Sequence, residues 1–222
     1  HDSTSPYATP ILLTKKKDGT IRMCCDFRRL NVKTLKDTYP LPRIDDLIDR
    51  LKNARWISTL DLTWGYWQLP VHPDSVEKTA FVTPDGHYKW LRLPFGLTNG
   101  PPVYQRLTDT LLRPLMDSSI FAYLDDVMIG APTPEENLKK LRHVFQTPRE
   151  AGLTLRFEKC AFLKTKVHYL GHDIQDGEIR PGLEKIPAIE NFPTPRNAHE
   201  VRRFLGLTGY FRKFIKDYSL IA

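Results

Sequence analysis

Two adjacent carboxylates, Asp125 and Asp126, interrupt an otherwise apolar and aromatic stretch at residues 120–129. A third carboxylate, Asp61, stands at the end of a similar strand-like run. Two such strands side by side would bring Asp61 and Asp125 together, and like charges at short range need a cation between them. The simpler alternative is an Asp-rich β-turn, because aspartate tolerates turn geometry. These residues alone leave both interpretations open.

The elements that must position the carboxylates are short strands joined by tight turns. The apolar residues on both sides of Asp125 and Asp126 predict a β-hairpin with the pair at its turn. Residues 10–14 and 21–27 predict a second hairpin, with Asp-Gly at its turn. Its tip carries three lysines and is chemically suited to phosphates, with a solvated surface loop as the alternative.

Two predicted helices have clear ends or faces. Thr133, Pro134 and Glu136 form a capping box that predicts a helix start. Pro148 is expected to end or kink this helix, because an interior proline costs about 3 kcal/mol. A second, long helix near residue 210 is predicted to turn six residues inward: Val201, Phe204, Leu205, Thr208, Phe211 and Ile215.

Composition narrows the class of protein. The 222 residues carry 33 Lys and Arg against 26 Asp and Glu, a formal net charge of +7. This surplus suits a polyanionic partner, nucleic acid before membrane. No apolar stretch approaches membrane-spanning length, and the first residues lack signal-peptide character. The sequence lacks an initiator Met, which indicates a segment of a longer polypeptide.

The three cysteines raise a second kind of metal site. Their odd number, with Cys24 and Cys25 adjacent, indicates a reduced, intracellular protein. A zinc module would combine them with Cys160 and either His168 or His172, but the paired C-x-x-C spacing is missing. A phosphatase or nuclease would also use paired metals, yet no His or Glu suited to position water lies near the carboxylates in the sequence.

Six motifs follow one another along the chain. They are Lys16 to Asn31, Thr59 to Leu62 with Gly65 and Tyr66, Lys78 to Thr83, Leu93 to Leu97, Tyr123 to Asp126, and Tyr169 to His172. Together they resemble the reverse transcriptases of long-terminal-repeat retroelements. The Pro-Phe-Gly-Leu motif is most similar to that of the gypsy-like retrotransposons, which encode a retroviral-type Pol polyprotein. The resemblance covers nearly the whole chain.

The resemblance implies an α+β fold shaped like a right hand, with fingers, a palm and a partial thumb. The palm is then an antiparallel sheet backed by helices. By position, residues 1–36 and 69–106 are the fingers, residues 37–68 and 107–176 are the palm, and residues 177–222 begin the thumb.

The implied activity is RNA-directed and DNA-directed DNA polymerisation, by two-metal transfer of a dNTP to a primer 3′-hydroxyl. Asp61, Asp125 and Asp126 match the catalytic carboxylates. With the backbone carbonyl of Leu62 they would bind two Mg²⁺ ions, for which Mn²⁺ is a substitute. Hard Mg²⁺ prefers oxygen ligands, which explains carboxylates here in place of His or Cys.

The other site residues are assigned by the same resemblance. The dNTP-binding set is Lys16, Arg22, Tyr66, Phe95 and Gly96. Lys16 and Arg22 would bind the triphosphate, and Tyr66 would clash with a ribose 2′-hydroxyl. Phe95 and Gly96 would form the floor of the pocket. The set for binding primer and template is Tyr123, Leu170, Gly171 and His172, the last three resembling the primer grip.

The expected partners follow from this activity. They are an RNA template, a DNA primer/template duplex, dNTPs, and the rest of a Pol polyprotein, with ribonuclease H and integrase outside this segment. The expected location is the cytoplasm, in a virus-like particle, with no membrane.

Four residues depart from the family pattern: Gly100 stands for a usual alanine, Trp64 for a small residue, and Pro148 and Pro187 fall within expected helices. They indicate a divergent lineage or a copy released from selection. The alternative function is therefore a catalytically lapsed, nucleic-acid-binding remnant that keeps the cleft. The intact carboxylate set favours the enzyme, because binding alone would not require it.

Overall fold

The chain combines β-sheets with helices that pack against them. The computed structural model describes residues 1–15, 19–62, 65–116, 119–182 and 186–222. The strands are β1 (Thr9–Lys15), β2 (Ile21–Cys25), β3 (Trp56–Asp61), β4 (Phe81–Thr83), β5 (Gly86–Tyr88), β6 (Ile120–Tyr123), β7 (Asp126–Ala131), β8 (Ala161–Lys164), β9 (Lys166–Tyr169), β10 (His172–Gln175) and β11 (Glu178–Pro181). The helices are α1 (Arg28–Lys33), α2 (Ile44–Asp49), α3 (Pro73–Val76), α4 (Gly100–Leu112), α5 (Pro134–Glu150), α6 (Ile186–Glu190), α7 (Ala198–Gly209) and α8 (Tyr218–Ile221). Within the described ranges, none of these helices combines the length and hydropathy that crossing a membrane would require.

The central sheet has the strand order β6-β7-β3-β8, and its neighbouring strands are antiparallel. One face packs on α4 and α5 through a buried cluster that includes Leu60, Tyr104 and Val144. The other face is covered by α2 and by the sheet β9-β10-β11, where Ile57 and Ile174 are fully buried. Because both faces are buried, the strands are mainly apolar, and the carboxylates stand at the strand ends.

A second sheet, with the order β2-β1-β4-β5, joins the two segments expected to form the fingers. The predicted hairpin between residues 10 and 27 is confirmed, with Lys15 opposite Ile21 at the last pair. β1 also pairs in parallel with β4, at Thr9 opposite Phe81. The hairpin tip includes Lys16, which lies outside the described residues.

Helix α5 begins as the sequence predicts but ends later. The Thr133 hydroxyl accepts a hydrogen bond from the Glu136 N–H at 3.3 Å, and Pro134 is the first helical residue. Of the two predicted outcomes, an end before Pro148 is wrong, because α5 continues to Glu150, and a kink there stays a prediction. Pro148 lies in the last turn, where its missing N–H removes only one backbone hydrogen bond near the helix end.

The other departures in the helices have similar explanations. Pro187 is the second residue of α6, a first-turn position that needs no N–H donor. The predicted long helix is wrong, since α7 ends at Gly209 and a 3₁₀ turn at Arg212–Phe214 follows. Glycine at positions 206 and 209 lowers helix propensity, which accounts for the early end. Of the six residues predicted to face inward, Thr208 and Phe211 are buried, whereas Val201, Leu205 and Ile215 are exposed.

Candidate active site

The three carboxylates meet at one end of the central sheet. Asp61, the last residue of β3, is the register partner of Asp126, the first residue of β7. Asp125 precedes it in the turn between β6 and β7, and its carbonyl accepts a hydrogen bond from the Leu62 N–H at 2.9 Å. The predicted hairpin is therefore confirmed, but its turn consists of Leu124 and Asp125, because Asp126 already pairs as the first residue of β7. The two alternatives, an Asp-containing turn and carboxylates brought close together, are therefore both present in the structure.

The carboxylate end of β3 is tied to a segment that no sequence motif indicated. The Lys159 ammonium lies 3.1 Å from Asp61 Oδ2, and the Arg156 N–H donates to the Asp61 carbonyl at 2.8 Å. Further along, the Gln68 side chain accepts from the Thr154 N–H at 2.7 Å and donates to the Thr154 carbonyl at 3.1 Å. Lys159 is 98 residues from Asp61 in sequence, so only the tertiary structure reveals this pair.

Burial and mutual repulsion disfavour ionisation of the paired carboxyls. Loss of hydration raises the pKa of Asp125, and the charge of Asp61 adds to this effect. Loss of hydration also raises the pKa of Asp126, with further contributions from Asp125 and Asp61, to about 6. Lys159 opposes both shifts without balancing them. The site therefore holds more negative charge than its surroundings neutralise.

Asp126→Asn is expected to raise the melting temperature of the metal-free protein by a few degrees at about pH 7. The folded-state pKa of about 6 lies above the ordinary value of 3.8. The resulting penalty is therefore absent below about pH 4 and complete above about pH 6. Thermal unfolding of both proteins in a chelator, at several pH values between these limits, should show the advantage of Asp126→Asn shrinking as pH falls. A constant advantage would contradict the assignment.

This arrangement fits a divalent cation held partly by substrate. In the ranges that the structure describes, no three His, Cys, Asp or Glu side chains form a set that could hold a metal ion by themselves. Mg²⁺ usually binds one or two carboxylates and takes its remaining ligands from water and substrate phosphates. An open site with Asp61 facing Asp126, and Asp125 beside them, suits that mode. The Leu62 carbonyl, predicted to join them, accepts a hydrogen bond from the Gly65 N–H at 3.2 Å.

The cysteines are engaged elsewhere. All three are free thiols, and Cys25 is buried with its sulfur accepting from Trp90 Nε1 at 3.4 Å. The Cys160 thiol donates to the Arg156 carbonyl at 3.3 Å. With no His or Cys cluster of metal-binding geometry in the described ranges, the structure offers no support for the zinc alternative.

A cavity of about 880 Å³ opens between the carboxylates and the β1–β2 hairpin. Its lining includes Asp61, Asp125, Arg22, Phe95 and Lys159. It therefore combines carboxylates and cations with an aromatic wall. The Arg22 guanidinium lies 5.9 Å from the centroid of the Phe95 ring. Two residues of the predicted dNTP set thus face the carboxylates, whereas Lys16 is not among the described residues.

Tyr66 packs beside this cavity and is absent from its lining. Its ring centroid lies 5.1 Å from that of Phe95 and 5.5 Å from that of Tyr104, which is fully buried. A Cβ atom at Gly100 would lie 3.9 Å from the Tyr66 ring, so the usual alanine would fit in ordinary contact. The Gly100 departure therefore leaves the packing of Tyr66 largely intact, while Trp64 falls outside the described residues.

The loop that carries Phe95 and Gly96 is braced by an asparagine. Asn31 donates to the Gly96 carbonyl at 2.8 Å and accepts from the Thr98 N–H at 2.9 Å. Gly96 adopts a φ of +97°, a conformation that side chains disfavour, and a Cβ there would lie 3.5 Å from the Cys25 carbonyl. These contacts hold the predicted pocket floor against β2.

The predicted primer grip forms the turn between β9 and β10. Leu170 and Gly171 occupy that turn with φ values of +46° and +77°. His172 is buried, and its ring lies 5.2 Å from that of Tyr210 and 5.8 Å from that of Phe214. His172 therefore packs at the junction with the last segment of the chain, and the turn is tied there too, since the Tyr210 hydroxyl donates to the Leu170 carbonyl. The fourth member of the set, Tyr123, is the register partner of Asp126 on β6.

Comparison with known proteins identifies matches along most of the chain. The family described as "Reverse transcriptase (RNA-dependent DNA polymerase)" matches residues 14–174. The chain is 40% identical over its full length to the retrovirus-related Pol polyprotein from transposon 297 of Drosophila melanogaster, of which it covers 21%. It is 36% identical over 99% of its length to that from transposon gypsy of the same organism, covering 22%. The chain thus spans about a fifth of these relatives.

Solved structures agree with the sequence matches. A foamy viral protease-reverse transcriptase in complex with double-stranded DNA is similar over 100% of this chain and 39% of its own, with a TM-score of 0.91 and 31% identity. The foamy viral protease-reverse transcriptase in complex with an RNA/DNA hybrid is similar over 96% of this chain and 28% of its own, with a TM-score of 0.82 and 31% identity.

Proposed function

The chain belongs to the reverse transcriptase family, and we propose that it carries out RNA-directed and DNA-directed DNA synthesis at the Asp61, Asp125 and Asp126 site. One observation carries the proposal. The register of β3 and β7 sets Asp61 opposite Asp126, and Asp61 and Asp125 line a cavity that Arg22 and Lys159 also line. Carboxylates beside cations in one cavity suit a metal-bound triphosphate, since the metals bind the carboxylates and the cations bind the phosphates.

Asp61, Asp125, Asp126 and the Leu62 carbonyl would hold two Mg²⁺ ions, with Mn²⁺ as a substitute. When bound, such ions polarise the transferred phosphoryl group and lower the pKa of the primer 3′-hydroxyl. The protein supplies the preorganised negative charge that recruits them. Because Asp125 and Asp126 are desolvated and repel one another, cation binding relieves an existing electrostatic strain.

The cavity residues would orient the nucleotide. Arg22 presents a guanidinium suited to phosphate oxygens, and its position over the Phe95 ring keeps it on the cavity side. Phe95, which lines the cavity, and Gly96 beside it would form the floor of the nucleotide pocket, and Tyr66 packs against Phe95. Lys16, on the tip of the same hairpin in the sequence, would add a second cation. Tyr123 and the turn formed by Leu170 and Gly171 would contact the primer and template.

The division into fingers, palm and thumb belongs to the same proposal. β3 lies in segment 37–68 and β6, β7 and β8 lie in segment 107–176, so one sheet unites the two proposed palm segments. The sheet containing β1, β2, β4 and β5 unites residues 1–36 with 69–106 in the same way. The nucleic-acid complexes of the foamy viral relatives and the net charge of +7 support a template–primer duplex as partner. We expect ribonuclease H and integrase elsewhere in a longer Pol polyprotein, in an intracellular particle.

Primer extension tests the proposal directly. The purified chain with Mg²⁺ is expected to extend a labelled DNA primer on an RNA template, and also on a DNA template, in a dNTP-dependent manner. Duplex binding is measured in parallel by fluorescence anisotropy at fixed salt, because phosphate contacts make affinity salt-dependent. Binding without extension, at any concentration of Mg²⁺ or Mn²⁺, would instead identify a remnant that keeps only the cleft.

A further inference from the structure

A buried glutamine on α4 contacts the turn that carries Asp125. Gln105 is fully buried, and its side-chain carbonyl accepts a hydrogen bond from the Leu124 N–H at 2.7 Å. Its NH₂ group donates to the Ala122 carbonyl at 3.1 Å. One side chain thus bridges the end of β6 and the first residue of the turn. A buried polar group with both ends bound has a fixed position, because losing either bond would leave an unpaired polar atom in the core.

The turn needs such support because of its backbone conformation. Leu124 has a φ of +55°, in the left-handed region that residues other than glycine rarely adopt. Residues in this region persist where surrounding contacts hold them, and they concentrate at functional sites. Since Asp125 follows Leu124 directly, the conformation held at Leu124 determines where the Asp125 carboxylate points.

A third contact reinforces the orientation of the Gln105 amide. The Gln105 NH₂ group also donates to Asp109 Oδ1 at 2.8 Å, and Asp109 Oδ2 accepts from the Tyr39 hydroxyl at 2.7 Å. An ionised carboxylate only accepts hydrogen bonds. With the amide reversed, the Gln105 carbonyl would face both the Asp109 carboxylate and the Ala122 carbonyl. Asp109 therefore adds to the preference of Leu124 and Ala122 for the orientation that presents a carbonyl to Leu124.

The outer end of this chain of bonds lies near the surface. Tyr39 packs under Arg106, whose guanidinium lies 4.9 Å from the ring centroid, and Arg106 pairs with Asp37 at 2.7 Å. Asp109 and Tyr39 are partly exposed, so they can be replaced without opening the core. The hydrogen bond to Asp109 is the largest cause of a raised pKa at Tyr39, in agreement with a neutral phenol as donor.

We propose that Gln105 is a positioning residue for the catalytic turn and that Asp109, held by Tyr39, strengthens the hold on its amide. The inference rests on the proposed function and extends it to three side chains that touch neither metal nor substrate. Mutation of residues that support metal ligands without binding the metal typically lowers metal affinity or activity by about 10- to 100-fold.

Asp109→Asn is the sharpest test, because asparagine has the same shape but no charge, so the Gln105 NH₂ group loses the charged acceptor that helps to hold it. We expect Mn²⁺ affinity, measured by electron paramagnetic resonance on the protein without nucleic acid, to fall about tenfold. We expect kcat for single-nucleotide addition to fall by a similar factor. KM for dNTP and affinity for the primer–template duplex should stay within about threefold, since the cavity wall is unchanged. Tyr39→Phe should give a smaller loss of the same kind, and Asp109→Glu, which keeps the carboxylate, should recover part of it.

Thr110→Ala is the matched control. Thr110 neighbours Asp109 on α4, is exposed, and bonds only within the helix, to the Arg106 carbonyl at 2.7 Å. It should match wild type in every measurement. Wild-type Mn²⁺ affinity and kcat in Asp109→Asn would overturn the proposal, as would a loss that merely follows a lower melting temperature or weaker duplex binding. If wild type fails to extend primers, the Mn²⁺ affinities of wild type and Asp109→Asn still test the positioning role. A tenfold difference between them supports that role and rejects only the polymerase function. Equal affinities, or no Mn²⁺ binding by either protein, reject the positioning role as well.

Discussion

Replacing Asp125 with asparagine is expected to lower primer extension by about a thousandfold or more while leaving duplex affinity unchanged. A metal ion that neutralises developing charge contributes several kcal/mol of transition-state stabilisation, and about 4 kcal/mol corresponds to a thousandfold in rate. Asparagine removes the charge and keeps the shape. The bond that anchors the turn, from the Leu62 N–H to the Asp125 carbonyl, involves only backbone atoms and survives the change. The hairpin should therefore stay folded around a site that has lost a ligand.

The measurement is single-turnover addition of one dNTP to a preformed primer–template complex, so that chemistry is separated from binding. Asp176→Asn serves as the control, because Asp176 is exposed in a turn at a φ of +49°, which asparagine tolerates. It should match wild type. Activity of Asp125→Asn above about a tenth of wild type would exclude Asp125 as a metal ligand.

The sequence predicted the carboxylates and their hairpin, but it did not determine their register. Asp61 was expected to lie near Asp125, and both line one cavity, but the register partner of Asp61 is Asp126, while Asp125 lies in the turn. Register depends on the whole length of both strands, from Trp56 opposite Ala131 onward, and shifts every side chain if it changes by one residue. Local patterns identify which residues are polar in an apolar strand, and only the paired sheet decides which of them face each other.

The sequence did not predict the roles of Lys159 and Gln105, for a different reason. Each has an ordinary sequence context, a lysine in a charged segment and a glutamine in an amphipathic helix. Their roles arise from partners distant in the chain, Asp61 for the first and Leu124 for the second. For Gln105 a signal existed in principle, since it follows Tyr104 and precedes Thr108 on the helix face that packs on the sheet. A polar residue on a face that must be buried requires a buried partner.

Tyr66→Ala is expected to lower discrimination against ribonucleotides by about 10- to 100-fold. A steric contact worth about 1–3 kcal/mol gives selectivity of that size. The Tyr66 ring cannot easily turn away from an incoming sugar, because Phe95 and Tyr104 pack against it and Gly100 lies beside it. Removing the ring opens space next to Phe95, which lines the cavity, and a 2′-hydroxyl would fit there.

Tyr66→Phe separates the ring from its hydroxyl. If the ring itself excludes the 2′-hydroxyl, the phenylalanine variant keeps wild-type discrimination and the alanine variant loses it. The measurement is the ratio of kcat/KM for dNTP to kcat/KM for rNTP. A general loss of packing lowers both values equally and therefore does not change their ratio. Since Tyr66 is half-buried, the alanine variant should be assayed well below its melting temperature. Equal ratios for wild type and Tyr66→Ala would remove Tyr66 as the gate and leave Phe95, an aromatic residue that does line the cavity, to be tested in the same way.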